Sequence, residues 1–302
     1  MSLLKGLTFT IDGFYERRSD IWVSASGQNS AVLGVDGAYK NAGIVDSWGT
    51  EMGLDYNKRI GDFQLRLGGT FSFNRSEIIE NLEEPKAYEY LSAKGKSVGQ
   101  IWGLQAIGHF VDQADIDNST PQQFGPVKPG DIKYKDISGP DGVPDGVISP
   151  EYDRVLLGGS LPHYMFGLTF NAAYKGWDFG LTLQGVGSQK SQISAAMIEG
   201  LRDNWLNFPT ILDGNYWSPK NTDEQNATAK YPRLTRTNRD ANFCMSDYWL
   251  YNGRYIRLKN LSVGYTLPKA WTTKACMNTV RLYVSGSDLF TCLLYTSDAA
   301  DE

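Results

Sequence analysis

Seven stretches of the chain alternate apolar and polar side chains, a period that puts one kind on each face of a β-strand. Leu7, Phe9 and Ile11 alternate with Thr8, Thr10 and Asp12. Ile44, Trp48, Met52, Leu54 and Tyr56 share one parity, against Ser47, Glu51 and Asp55. Phe63, Leu65, Leu67, Phe71 and Phe73 oppose Gln64, Arg66, Thr70 and Ser72. Further on come Phe166, Leu168, Phe170 and Tyr174, then Trp177, Phe179, Leu181 and Leu183 against Asp178, Thr182 and Gln184. A strand opening at Tyr255 carries Leu261, Val263, Tyr265 and Leu267. The last sets Val280, Leu282 and Val284 against Arg281, Tyr283 and Ser285. No helical stripe of comparable length accompanies them, so the chain reads as all-β.

The spacing between these segments carries more information than the segments. Tight turns are expected at Arg59-Ile60-Gly61-Asp62 and at Lys175-Gly176, with a short link between the sixth and seventh strands. Long connections run from Arg17 to Ala42, from Phe73 to Phe166, and from Gln184 to Tyr255. Long and short connections therefore alternate. In an up-and-down antiparallel sheet, that alternation gathers every long loop on one edge, as in transmembrane barrels with short periplasmic turns and long extracellular loops. A soluble sandwich usually shows turn signals every ~8–12 residues instead. The expected fold is an incomplete transmembrane β-barrel, its greasy face toward lipid and Gln64, Arg66, Asp178, Gln184 and Arg281 toward the lumen. Backbone in hydrocarbon must be fully paired, so such a sheet is expected to be part of a larger closed one.

Composition agrees with this and trims the alternatives. Gly (32), Tyr (17), Phe (13) and Trp (8) are plentiful, a mixture suited to twisted sheets. A net charge of −5 without a long basic run argues against nucleic acid as a partner. No apolar stretch reaches the ~18 residues of a membrane helix. Cys244, Cys276 and Cys292 are odd in number and dispersed, and two histidines, His109 and His163, cannot build a multi-histidine metal site. Met1 to Lys5 does not begin a signal peptide, which is expected of a fragment rather than of a cytoplasmic protein. Glycine-flanked serine elbows, Walker glycines and HExxH are missing, so no catalytic residues and no enzymatic activity are expected.

Specific words in the chain carry a resemblance. Pro129-Gly130-Asp131-Ile132-Lys133-Tyr134-Lys135-Asp136 leads through Gly142 and Asp145-Gly146 to Asp153-Arg154 and Leu157-Gly158. Tyr216-Trp217-Ser218-Pro219 and Tyr231-Pro232-Arg233-Leu234 follow. Asp247-Tyr248-Trp249-Leu250, Gly253-Arg254-Tyr255-Ile256-Arg257-Leu258-Lys259-Asn260-Leu261 and Gly264-Tyr265-Thr266-Leu267-Pro268 come next. With Asn41-Ala42-Gly43, Val98-Gly99-Gln100 and Val284-Ser285-Gly286-Ser287-Asp288-Leu289-Phe290-Thr291, this ordered set resembles the SusC/RagA type of TonB-dependent outer-membrane transporters. The resemblance implies a share of the C-terminal region of a roughly 22-stranded barrel. It implies energised uptake of glycans or peptides, a SusD-like lid lipoprotein and the TonB system as partners, and an outer-membrane address. The plug that would contact TonB is not among the matched residues. Residues 1–291 are read as this partial barrel. The tail 292–302 departs from the family pattern and is expected to be non-native.

Two sets of residues invite functional readings. The loop aromatics Trp102, Tyr134, Trp205, Tyr216, Trp217 and Trp249 could stack on a sugar ring or hold a peptide, or could instead anchor loop against loop. Asp136, Asp141 and Asp145 sit in a glycine-turned loop that could hold a calcium ion, although the spacing fails the EF-hand pattern and Asp and Gly better suit an ordinary structured turn. The competing reading for the whole chain is a soluble or surface-exposed β-rich module that binds carbohydrate or adheres to a partner.

Overall fold

The structure is a computed structural model that describes residues 5–25, 38–86, 88–137, 143–193, 198–199, 208–236 and 239–293. In chain order the strands are β1 (Leu7–Ser24), β2 (Tyr39–Ile60), β3 (Phe63–Glu80), β4 (Gln100–Gly103), β5 (Ala106–His109), β6 (Ile132–Tyr134) and β7 (Val155–Gly159). They continue with β8 (Tyr164–Tyr174), β9 (Trp177–Gly187), β10 (Lys190–Gln192), β11 (Leu250–Asn252), β12 (Tyr255–Thr266) and β13 (Arg281–Leu293). Seven of them form one antiparallel sheet in the order β1-β2-β3-β8-β9-β12-β13, and the other six pair off within the loops. All seven expected strands are present, joined as neighbours in chain order. The turn between β8 and β9 has both Lys175 (φ 45°) and Gly176 (φ 90°) in the left-handed region, the geometry a two-residue hairpin needs.

Register turns the alternation within strands into bands across the sheet. Leu7, Tyr56, Leu67, Phe170, Leu181 and Leu261 stand side by side on six neighbouring strands. Ile60, Phe63, Tyr174, Trp177, Tyr265 and Leu282 form a row at the tight-turn edge of the same face. Phe73 and Tyr164 pair near its other edge, with Tyr15 and Trp48 paired one row further on. The span from Phe63 to Phe73, at about 3.3 Å per residue and a tilt of roughly 40°, makes an apolar band about 25 Å tall, bounded by aromatics at both margins. Leu54, Leu168 and Val284 on this face are 47%, 45% and 79% exposed. Among the described residues no second sheet covers them, which is incompatible with a sandwich core.

Several strands run well beyond their alternating segments. Both ends of the connection expected from Arg17 to Ala42 are strand, since β1 continues to Ser24 and β2 begins at Tyr39. β3 likewise continues through Arg75 and Glu77 to Glu80. The reason is that alternation marks a strand only where one face is apolar and the other polar. Past the apolar band the apolar side chains no longer keep to one parity (Ile21, Trp22 and Val23 are consecutive, as are Ile78 and Ile79), while the backbone ladder continues with bulges around Ile21: Glu16 pairs with Ser47 and Arg17 with Asp46. There the Arg17 guanidinium and the Tyr15 hydroxyl both donate to the Asp46 carboxylate. Cys292 and Leu293, assigned above to the tail, lie in β13 opposite Ile256 and Tyr255, and the rest of the tail is outside the described residues.

Candidate functional site

The face opposite the apolar band is the first candidate surface. Thr10, Gly53, Thr70, Gly167, Gln184 and Arg257 form a row there, beside Asp12, Glu51 and Ser72. Arg66 pairs with Asp55 at 3.4 Å, and Arg281 reaches Asp178 through Nε (3.0 Å) and Nη2 (2.5 Å). The two glycines hollow the row. A Cβ on Gly53 would lie 2.6 Å from Thr10 Oγ1, and one on Gly167 2.9 Å from Thr70 Oγ1. The result is an open hollow of about 450 Å³, whose polar groups include Asp12, Glu51, Thr70, Ser72 and Gln184. Such a surface offers hydroxyl, amide and carboxylate partners to a hydrated solute. No reacting constellation is formed there.

The second candidate is the knot made by the two long loops, 81–163 and 188–254. Leu104, Ile132, Tyr134 and Ile148 from the first loop pack with Ile198, Leu212, Tyr231 and Trp249 from the second. Asp131, fully buried, is at its centre. Arg233 Nη2 donates to its Oδ2 (3.0 Å), Asn242 Nδ2 to its Oδ1 (2.9 Å), and the Lys128 amide to its Oδ2 (2.8 Å). Asn242 also accepts from the Ile132 amide and, through its carbonyl, from Trp249 Nε1. Gln122 bridges the first loop to itself, accepting from the Tyr134 amide and donating to the Ile132 carbonyl. Burial raises the Tyr134 phenol well above its usual range, and the hydroxyl stays protonated to donate to the Ala241 carbonyl. The Cys244 thiol beside it is pushed up to about 11, chiefly by burial.

This geometry distributes the sequence-expected binding residues unevenly. Tyr134 and Trp249 are 1% and 3% exposed, so both pack inside the knot and present no face to a ligand. Trp217 is half-buried with its ring over Gly130, and Tyr216 packs against the knot next to its bridge partner Tyr231. Trp102 is half-buried in β4 opposite Leu156 of β7. Trp205 lies outside the described residues. In the acidic loop, Asp136 Oδ2 accepts from the Gly146 amide and Asp145 Oδ1 from the Val147 amide, as turn-forming carboxylates do. Asp136 Oδ1 is buried without a hydrogen-bond partner, while Asp141 lies outside the described residues. Among the described residues no group of three or more His, Cys, Asp and Glu side chains could hold a metal. Sequence reading missed Asp131, Asn242 and Gln122. Nothing in periodicity marks them, since their value lies in backbone groups that fall next to them only in the folded loops.

Comparison with known proteins fits this arrangement. No protein-family model matches the chain. TonB-dependent receptor P3 of Formosa agariphila is 26% identical over 273 residues, covering 85% of this chain and 25% of the relative. TonB-dependent receptor SusC of Bacteroides thetaiotaomicron is 22% identical, covering 89% of this chain and 25% of SusC. Among solved structures, the RagAB peptide transporter superposes with a TM-score of 0.68 at 17% identity, over 96% of this chain and 30% of that one. The chain thus spans about a quarter to a third of the length of the proteins it matches. It is a relative of the SusC/RagA-type TonB-dependent receptors, and what it spans of them is a run of barrel strands with the long loops of one edge.

Proposed function

We propose that the whole protein is an outer-membrane nutrient importer, taking up glycans or peptides through a TonB-energised barrel capped by a SusD-like lipoprotein. The observation that carries this reading is the register-aligned apolar band, exposed on one face of the sheet and backed by the charged, glycine-hollowed face. A soluble protein has no use for an uncovered band of that height, whereas lipid covers it fully. The polar face then borders the passage, and the loop knot stands on the outer side. The sequence of residues 292–302 is read as foreign to this barrel, and Asp136 with Asp145 as turn-formers that could take a weakly held cation along with Asp141.

The relatives are named receptors and transporters, and the chain's polar side chains are arranged for binding rather than for chemistry. Membrane fractionation of the full-length protein, with gel mobility compared before and after boiling, tests the reading. The expected result is recovery in the outer-membrane fraction with heat-modifiable mobility. Recovery as a soluble monomer would sink it and favour the carbohydrate-binding or adhesive module.

A further inference from the structure

An open pocket of about 720 Å³ lies where β3, β8 and β9 leave the apolar band and the long loops begin. Its lining includes Arg75, Lys96, Lys190 and Arg254, together with His163, and contains no acidic residue. The lining residues that the seven-stranded sheet contributes, Arg75, Tyr164 and Gly187, all share the parity of the apolar face: Tyr164 pairs with both Phe73 and Gly187, and Arg75 is the next residue on that side of β3. Arg75 lies over the Phe73 ring with its guanidinium carbon 6.0 Å from the ring centre. The pocket therefore opens on the lipid-facing side, at the long-loop margin of the band, and not into the lumen.

Among the described residues the cations Arg75, Lys96, Lys190 and Arg254 are not neutralised by direct salt bridges, and Arg254 is steadied by the Asn252 side chain at 2.9 Å. Two carboxylates stand nearby without pairing with these cations: Glu77, whose Oε1 is 4.0 Å from where a Cβ on Gly95 would be, and Asp247, which feels the Lys190 charge. Lys190 is seated by a glycine. Gly158 (φ 130°) leaves room for its stem, where a Cβ would stand 2.9 Å from Lys190 Cγ. Gln100, Gln189, Ser97 and Ser188 add neutral donors around the charges. Burial, then the Arg75 guanidinium, hold the His163 imidazole below its usual range, so it adds a neutral ring rather than a fifth charge near pH 7.

From this we infer that the pocket binds the phosphate-bearing headgroup of an outer-leaflet lipid, whose acyl chains lie along the adjoining apolar band. Arginine and lysine are the side chains that take phosphate oxygens, and basic groups beside a bilayer surface gain from anionic lipid. The inference rests on the membrane reading above, because the pocket is a headgroup site only if the band beneath it is in lipid.

The test uses the full-length receptor in mild detergent and the variant R75Q/K96Q/K190Q/R254Q, with diphosphoryl lipid A, its dephosphorylated form and inorganic phosphate as probes. The wild type is expected to bind diphosphoryl lipid A at least tenfold more tightly than the dephosphorylated lipid, and the variant to lose that preference. An unchanged preference in the variant, or none in the wild type, overturns the proposal. Displacement by millimolar inorganic phosphate as effective as by the lipid would identify a free-anion site and overturn the lipid assignment. Should the fourfold variant lack heat-modifiable mobility, the pairs R75Q/K96Q and K190Q/R254Q replace it, each expected to reduce the preference at least threefold. Fractionation is read separately, so a soluble receptor defeats the membrane reading whatever the lipid arm gives.

Discussion

Replacing Gly130 by alanine would place a Cβ 2.3 Å from Cδ2 and Cε3 of the Trp217 indole, at a φ of +85°. Strain of both kinds arises at one atom, and a loss of about 2–4 kcal/mol in the stability of the loop knot is expected. Amide exchange at Ile132 and Tyr134 reports it, because both amides are bonded inside the knot. Gly146→Ala is the control. It has nearly the same φ (+88°) with nothing within 4 Å of the new methyl, so about 1 kcal/mol of backbone strain is all it should show. Equal effects of the two substitutions would remove Trp217 from the explanation. His109 gives a pH-dependent counterpart. Tyr248 commits its proton to the Lys230 carbonyl (2.6 Å), so His109 Nε2 donates to the Tyr248 oxygen at 3.0 Å. Burial holds the imidazole at about 4, with the Asp131 carboxylate pulling weakly the other way. The unfolded histidine titrates near 6.5, so between these values the unfolded loops bind more protons. The knot keeps its full stability above about pH 6.5 and loses up to about 3 kcal/mol by pH 4. Exchange at the Tyr134 amide should rise over that interval, and His109→Gln should flatten the rise. These residues also mark where sequence reading stopped. Gly130 and Trp217 stand in recognisable words, yet only the folded loops bring the indole over the glycine. Tyr134 and Trp249 look like exposed binding aromatics until their burial is known.

Within single strands the alternation was decisive, because a period of two needs no knowledge of the neighbours. It gave the existence, order and facing of all seven sheet strands, and it stopped short wherever a strand left the apolar band. β1 past Ile11 and β3 past Phe73 show this: Glu16, Arg17 and Arg18, or Arg75 and Glu77, carry no facing signal, while their backbones continue to pair. Facing is directly testable on β3. Leu67 is near the middle of the band, with Tyr56 and Phe170 on either side, while Thr70 sits in the hollow on the other face. An arginine on the lipid side of a barrel near the midplane costs roughly 2–4 kcal/mol, against little in an aqueous lumen. Leu67→Arg should therefore destabilise the full-length barrel by about that amount in lipid vesicles, and Thr70→Arg by less than about 1 kcal/mol. Denaturant titration of the two variants in the same lipid reads the difference directly. A reversed order would mean that the charged face is the one in contact with the bilayer.

For the whole sheet, the decisive feature is that it does not close. Among the described residues β1 pairs only with β2, and β13 only with β12. The free edge of β1 extends over an 18-residue strand and that of β13 over 13 residues. On such an edge roughly every second residue turns its N–H and C=O outward, and each unpaired group in hydrocarbon costs several kcal/mol. The apolar band calls for lipid, while the two edges forbid a lone seven-stranded sheet from residing in it. That conflict disappears only when further strands pair with β1 and β13, which agrees with the chain spanning about a quarter to a third of its relatives. The loop knot has no such dependence, since Asp131 finds its donors, Arg233, Asn242 and the Lys128 amide, within it. Refolded alone into phosphatidylcholine vesicles, residues 1–302 should fail to become protease-protected as a monomer and should self-associate along their edges. The same residues within the full-length barrel should be protected across β1 to β13. A protected monomer of the isolated segment would require β1 and β13 to pair with each other, and seven strands fall short of the roughly eight at which a barrel interior is just wide enough for its side chains.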